Sequence, residues 1–386
     1  MKIPLSGVYL KGNEKKYVDF LLRSGKLSMG EYTEKFENTF KDYIGRKYSV
    51  MVSSGTAGLF LLLKAAGVQS NDEIITTPFS FIASSNSILY CNATPVFVDI
   101  DEKSLCISPD LIERKIRSDY KKSGKNFVNK KSGKVLKGIL SVDILGNLCD
   151  YDNIKELCYD YNLLLFEDSS ESLGSEFKGK KSGIFGIGSV FAFYPNKQIT
   201  TGEGGMILTD DKKIYLYLKA LRNQGRMEGD PNYIHRYLGY NFRVSDINSA
   251  LGLAQMENLV NILKRRENVA KRYMKLLNRI KEIRLPSVIE GQKNSWFLFY
   301  IFVDKKDRNE LIEFLNKNGI SSKRYFHPIH LQPFYKKIFG YRKGDFPITE
   351  KISEELVAIP FFTGLTNMEQ KYVYEKIKEF FERRSA

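Results

Sequence analysis

The stretch YSVMVSSGTAGLFLLLKAAGVQSNDEIITTPFSFIASSNSILYCNATPVFVDI, residues 48–100, decides the fold. It opens on a short strand (48–54), turns at Gly55-Thr56 and continues as a helix over 56–67. Strand EIITTP (73–78), helix SFIASSNSILYC (80–91) and strand PVFVDI (95–100) follow. Strands alternating with helical patterns predict an α/β layer with a largely parallel sheet.

The same alternation extends outward. Strand GILSVDIL (138–145), helix DNIKELCYDYN (152–162) and strand LLLFED (163–168) continue it, and residues 16–46 read as two helices around the break SGKLSMG. Beyond residue 250 the texture changes. A long helical stretch (246–280) leads to strand WFLFYIFV (296–303) and helices at 308–319 and 367–381, the pattern of a smaller α+β domain. A chain of 386 residues exceeds what one core supports. Two domains are therefore expected, 1–255 and 256–386, with the boundary inside the long linking helix.

Lys and Arg number 60 against 45 Asp and Glu, a formal charge of +15. Nucleic acid is the first partner such a charge raises. The basic residues are spread along the chain, no nucleic-acid-binding motif accompanies them, and the densest run, Lys121–Lys137, reads as a solvated surface loop. The charge suits attraction of an anionic small substrate. Cys91, Cys106, Cys149 and Cys158 form no CxxC pair and read as small buried hydrophobes. No metal site is expected, because the close pair His327 and His330 has no cysteine nearby. The N-terminal stretch turns polar before an apolar signal core develops, and no apolar run reaches the ~20 residues of a membrane helix. A cytoplasmic protein that binds neither nucleic acid nor membrane is the expectation.

Four segments carry chemistry, each with a plainer reading beside it. Ser53-Ser54-Gly55-Thr56-Ala57 closes a strand and opens a helix, an anion site of the kind that takes phosphate, or a simple N-cap turn. Glu167-Asp168-Ser169-Ser170-Glu171 ends an apolar strand at the edge where α/β sheets bind ligands, although Asp168 could equally cap a helix. Lys197 stands between the aromatic strand FAFY (191–194) and the turn GEGG (202–205), where a partly desolvated amine can act as nucleophile; most lysines are solvated. Gly239–Ile247 opens the long helix with polar residues amid aromatics, suggesting a contact or partner-facing site, or an N-cap by Ser245 or Asp246. The glycine-rich Gly183–Gly188 lacks the spacing of a dinucleotide loop and runs into a strand.

In this order, SSGTAGL, PFSFIASSNSILY, ATPVFVDID, FEDSSES, FYPNKQITTGEGG, GYNFRVSDINSALGLAQMENL and YFHPIHLQPFY resemble the nucleotide-sugar aminotransferases of the DegT/StrS family. The likeness runs from Phe36 to Phe362. It implies a fold-type I pyridoxal-phosphate enzyme: a large domain with a mostly parallel seven-stranded sheet flanked by helices, and a smaller C-terminal α+β domain. It also implies roles. Lys197 would be the Schiff-base lysine and Asp168 the partner of the pyridine nitrogen, a carboxylate that keeps the electron-withdrawing ring protonated. Phe81 would stack on the ring, Glu171 would lie at its hydroxyl side, and Gly55, Thr56 and Ala57 would cradle the phosphate. Asn241 would reach the partner subunit's cofactor, making a homodimer with composite sites. Tyr194, Arg243, His327 and His330 are the candidate substrate contacts. The resemblance implies transamination from an amino acid, L-glutamate, to a keto-sugar, with a nucleotide-linked 3-keto or 4-keto sugar as acceptor. A ketone without a nucleotide and a catalytically silent cofactor-binding protein are the competing readings. One departure stands out: the family often has serine five residues before the lysine, and this chain has Ala192.

Overall fold

The computed structural model describes residues 1–227, 229, 231–287 and 289–385. Seven strands build the main sheet: β1 (Tyr48–Val52), β2 (Asp72–Thr76), β3 (Thr94–Phe97), β4 (Val135–Val142), β5 (Leu164–Asp168), β6 (Gly188–Ala192) and β7 (Gly205–Thr209). Their order is β1-β7-β6-β5-β4-β2-β3. Only β7 runs against its neighbours, Val50 facing Ile207 on one side and Val190 facing it on the other. The remaining pairs are parallel. Parallel strands buried on both faces are mostly apolar, and β2 and β5 are buried along nearly their whole length.

The helices do not all begin alike, and several start where a short polar side chain satisfies a free N–H group. They run as α1 (Glu14–Ser24), α2 (Glu31–Ile44), α3 (Gly55–Ala65), α4 (Ala83–Tyr90), α5 (Pro109–Asp119), α6 (Tyr151–Asp160), α7 (Lys212–Arg222), α8 (Asp246–Glu257) and α9 (Leu259–Leu277). Ser54 caps α3, Ser108 caps α5 and Ser245 caps α8. Helix α3 is apolar almost all round because it lies in the core, with Leu59 and Leu61–Leu63 buried against Val190, Ile207 and Leu218. Burying each such leucine contributes roughly 1.5–3 kcal/mol.

Two expectations are corrected. Residues 121–137 are not simply a loop. Tyr120–Ser123 and Asn126–Asn129 form an antiparallel hairpin that pairs with the start of β4, making the sheet nine-stranded and mixed. Its lysines face solvent, while Tyr120 is buried with its hydroxyl on Glu73 and Phe127 packs edge-on to Tyr161. The helical stretch 246–280 is not continuous either. It breaks at Asn258, which ends α8 and precedes α9, a position suited to a side chain that competes with helical hydrogen bonds. The break lies three residues past the expected boundary.

C-terminal to α9, strands β8 (Phe299–Phe302), β9 (Lys323–Arg324) and β10 (Leu356–Ile359) form a small antiparallel sheet in the order β8-β10-β9. One face packs on α9 and on helices Lys305–Lys317 and Asn367–Ser385. The other, through Tyr300, Phe302 and Ala358, shares a core with the large sheet. All four cysteines are buried and free. No helix among the described residues is long and apolar enough to cross a membrane.

Candidate active site

Strand alternation sends neighbouring side chains of β5 to opposite faces. Glu167 points away from the cavity, and its carboxylate accepts N–H groups from Gly183 (2.9 Å), Phe185 (2.7 Å) and Gly186 (2.6 Å) and meets Arg46 (3.3 Å). The glycine-rich Gly183–Gly188 is thus wrapped around a buried acid. Asp168 points the other way. Its Oδ2 accepts the Ser84 hydroxyl at 2.7 Å and its Oδ1 the Ser170 N–H at 3.2 Å.

Lys197 lies in the turn that follows β6, with its N–H on the Tyr194 carbonyl at 2.9 Å. Its Nζ sits 3.3 Å from Glu171 Oε1 and 4.2 Å from the centre of the Phe297 ring. The other Glu171 oxygen accepts the Leu145 N–H at 3.0 Å. Burial pushes the Glu171 carboxyl above its usual value, and the Lys197 charge opposes that shift.

Helix α3 begins against the same turn. A Cβ added at Gly55 would lie 2.7 Å from Ala192 Cβ, and one at Gly205 would lie 2.6 Å from the Ser54 carbonyl oxygen. Glycine at both positions lets β6, β7 and the helix start approach closely. Ser54 Oγ takes the Ala57 N–H at 3.1 Å and the Ser54 carbonyl takes that of Gly58 at 3.0 Å. The N–H groups of Gly55 and Thr56 open the helix and have no intrahelical acceptor.

These elements enclose a cavity of about 410 Å³. Of the residues expected from sequence, Gly55, Thr56, Phe81, Asp168, Glu171, Tyr194 and Lys197 line it, as does Ala192. Phe81 and Tyr194, 60% and 54% exposed, stand at its open side. Ala57 lies outside the lining, its N–H engaged by the cap. Asn241 and Arg243 are also outside it within one chain: Asn241 is exposed beside Asn223, and Arg243 donates to the Asn223 side chain at 3.1 Å. Tyr240 and Phe242 stack on each other and pack on Phe60 of their own chain. His327 is exposed and not part of the lining. His330 does not line the cavity either. It is 0% exposed, shares a hydrogen bond with Glu350 at 3.0 Å and packs on Phe346.

Sequence reasoning missed Ser84, Phe297 and Tyr325. Ser84 and Tyr325 line the cavity, and the Phe297 ring backs Lys197. Ser84 lies within PFSFIASSNSILY, but nothing in its spacing singled it out; in the structure its hydroxyl is 3.0 Å from that of Ser80.

The donor set fits pyridoxal phosphate. Lys197 offers an amine for the aldehyde, Asp168 a held carboxylate for the ring nitrogen, and the α3 N-terminus unpaired N–H groups for the phosphate.

Comparison with known proteins agrees. Residues 8–378 match the DegT/DnrJ/EryC1/StrS aminotransferase family. The chain is 36% identical over 380 residues to GDP-perosamine synthase of Escherichia coli O157:H7, covering 98% of each protein. Its fold matches Helicobacter pylori PseC, an aminotransferase involved in pseudoaminic acid biosynthesis, with a TM-score of 0.89, 28% identity and coverage of 99% and 100% of the two chains. It also matches the PLP-form of Spr1654, a putative sugar aminotransferase of Streptococcus pneumoniae, with a TM-score of 0.88, 26% identity and 99% of each chain. The chain belongs to the DegT/DnrJ/EryC1/StrS aminotransferase family and is a pyridoxal-phosphate-dependent aminotransferase.

Proposed function

We propose that this enzyme moves an amino group from L-glutamate to the 3- or 4-keto carbon of a nucleotide-linked 6-deoxyhexose, for synthesis of a surface glycan. The observation that carries the reading is the convergence of Lys197, Asp168, Glu171 and the α3 N-terminus on one open cavity. Full-length identity to a GDP-perosamine synthase supports a nucleotide-linked acceptor, and the charge of +15 favours anionic substrates.

Bound in this cavity, pyridoxal phosphate supplies an aldehyde that accepts the donor's nitrogen and a ring that withdraws electrons from the reacting carbon. Asp168, fixed by Ser84 and the Ser170 N–H, would be the carboxylate that pairs with the ring nitrogen. Lys197 Nζ carries the proton to and from the carbon bearing the nitrogen. Glu171 holds that amine within the cavity between transfers. Donor and acceptor use the site in turn, so the kinetics are ping-pong. The working unit in this reading is a homodimer, with Asn241 of each chain completing the phosphate site of the other.

The test is a panel of 3-keto and 4-keto nucleotide sugars with glutamate, the product carbon assigned by NMR. Amination of one of these sugars is expected. Amination only of ketones lacking a nucleotide would overturn the choice of acceptor.

A further inference from the structure

Phe297 comes from the segment before β8, about 100 residues along the chain from Lys197. It is buried, and its ring lies 4.2 Å under Lys197 Nζ, while Glu171 Oε1 approaches the same atom at 3.3 Å. The backbone beneath the ring is anchored. Arg266 of α9 is buried among apolar residues and makes no ion pair among the described residues. Its guanidinium donates to the Trp296 carbonyl (2.8 and 3.0 Å) and the Phe297 carbonyl (2.7 Å). A buried cation with no counter-ion is costly, and here three of its four hydrogen bonds go to the two peptide groups that flank Phe297, the fourth to the Thr363 hydroxyl. The negative face of an aromatic ring attracts an ammonium.

We propose that Phe297 is a positioning residue for Lys197: its ring and the Glu171 carboxylate form the seat that the lysine amine occupies whenever it is not bonded to the cofactor. The seat keeps the released amine inside the cavity and in reach of the reacting carbon, in place of a long side chain free to sample solvent. Glu171 supplies the charge and Phe297 the surface that excludes water from the opposite side. The inference rests on Lys197 being the cofactor lysine.

The test compares wild type, Phe297→Leu and Phe297→Tyr. In the cofactor-free full chain, reductive methylation with formaldehyde and borane is followed lysine by lysine by mass spectrometry, because an amine held between the Phe297 ring and Glu171 is shielded from the reagent. Losing the ring should speed methylation of Lys197 by about 2- to 30-fold relative to the other lysines, the range such contacts span. In the loaded enzyme, kcat should fall with KM for glutamate unchanged. Phe297→Tyr should restore both. If Phe297→Leu does not fold, Phe297→Met fills the same space and is read identically. Wild-type methylation and wild-type kcat in a folded ring-free variant would overturn the seat. Cofactor trapped by borohydride on another lysine would instead remove the reading beneath it.

Discussion

Ser84 Oγ donates to Asp168 Oδ2 at 2.7 Å, tying the start of α4 to the end of β5 across 84 residues of chain. In the proposed reading Asp168 is the partner of the cofactor ring and this bond fixes its carboxylate, so Ser84→Ala should lower kcat by about 10-fold, the scale of a hydrogen bond to a charged group. The fold should be intact, because the hydroxyl faces the cavity. Steady-state kinetics at saturating cofactor test this, and an unchanged kcat would count against it.

Asp168→Asn removes the charge and keeps the shape. Turnover should drop by about 100-fold or more, as for other electrostatic groups aimed at a reacting centre. Circular dichroism should show a folded protein. Near-normal turnover would exclude Asp168 as the partner of the ring nitrogen.

Residues 55 and 192 are in near contact at the helix start. Gly55→Ala should push α3 away from β6 and weaken cofactor binding by at least about 10-fold. Ala192→Ser, which adds a hydroxyl on the cavity side, should bind cofactor as well as wild type or slightly better. Equilibrium titration of the cofactor-free protein reads both, and a loss of affinity in Ala192→Ser would contradict the phosphate placement.

Asp143 lies beneath the loop that carries Asp168 and Glu171. Its carboxylate accepts Tyr151 at 2.7 Å, Ser169 at 3.0 Å and Ser172 at 3.1 Å. Burial, with the Glu167 charge adding to it, pushes its pKa up to about 7. An unfolded aspartate titrates near about 3.9. Between these values the folded chain keeps a proton that the unfolded chain has lost, so this group's contribution to stability declines as pH rises through the window. Asp143→Asn should therefore show a flatter melting temperature between pH 4.5 and about 7.5. Thermal melts across that range decide it, and an equally steep decline in the variant would contradict the prediction.

Much of this was legible because the chemistry of the large domain follows the chain. Strand ends carry Ser54, Asp168 and Ala192, and the strand–helix alternation places them at one edge. Ser84, Phe297 and Tyr325 were not legible, since each reaches the cavity through packing between segments remote in sequence. The hairpin at 120–129 read as a loop because its lysines hid the two inward aromatics, Tyr120 and Phe127. His330 shows the limit from the other side: a polar side chain beside aromatics can equally be a core residue, and here its Nε2 is paired with Glu350.

The homodimer is tested by complementation. Lys197→Ala and Asn241→Ala proteins, each inactive alone, should regain partial activity when their subunits exchange, because some heterodimers then hold one intact site. A fully active monomer, or silence despite proven exchange, would show that Asn241 serves its own chain only.

Lys197 is proposed to hold the cofactor in the cavity it shares with Asp168 and Glu171. Reduction of the purified enzyme with borohydride, followed by peptide mapping, tests that directly. The predicted result is a single cofactor-labelled peptide spanning Tyr194–Gly205 with the tag on Lys197, and no label in Lys197→Ala. A tag on any other lysine, or labelling that survives Lys197→Ala, would contradict the account.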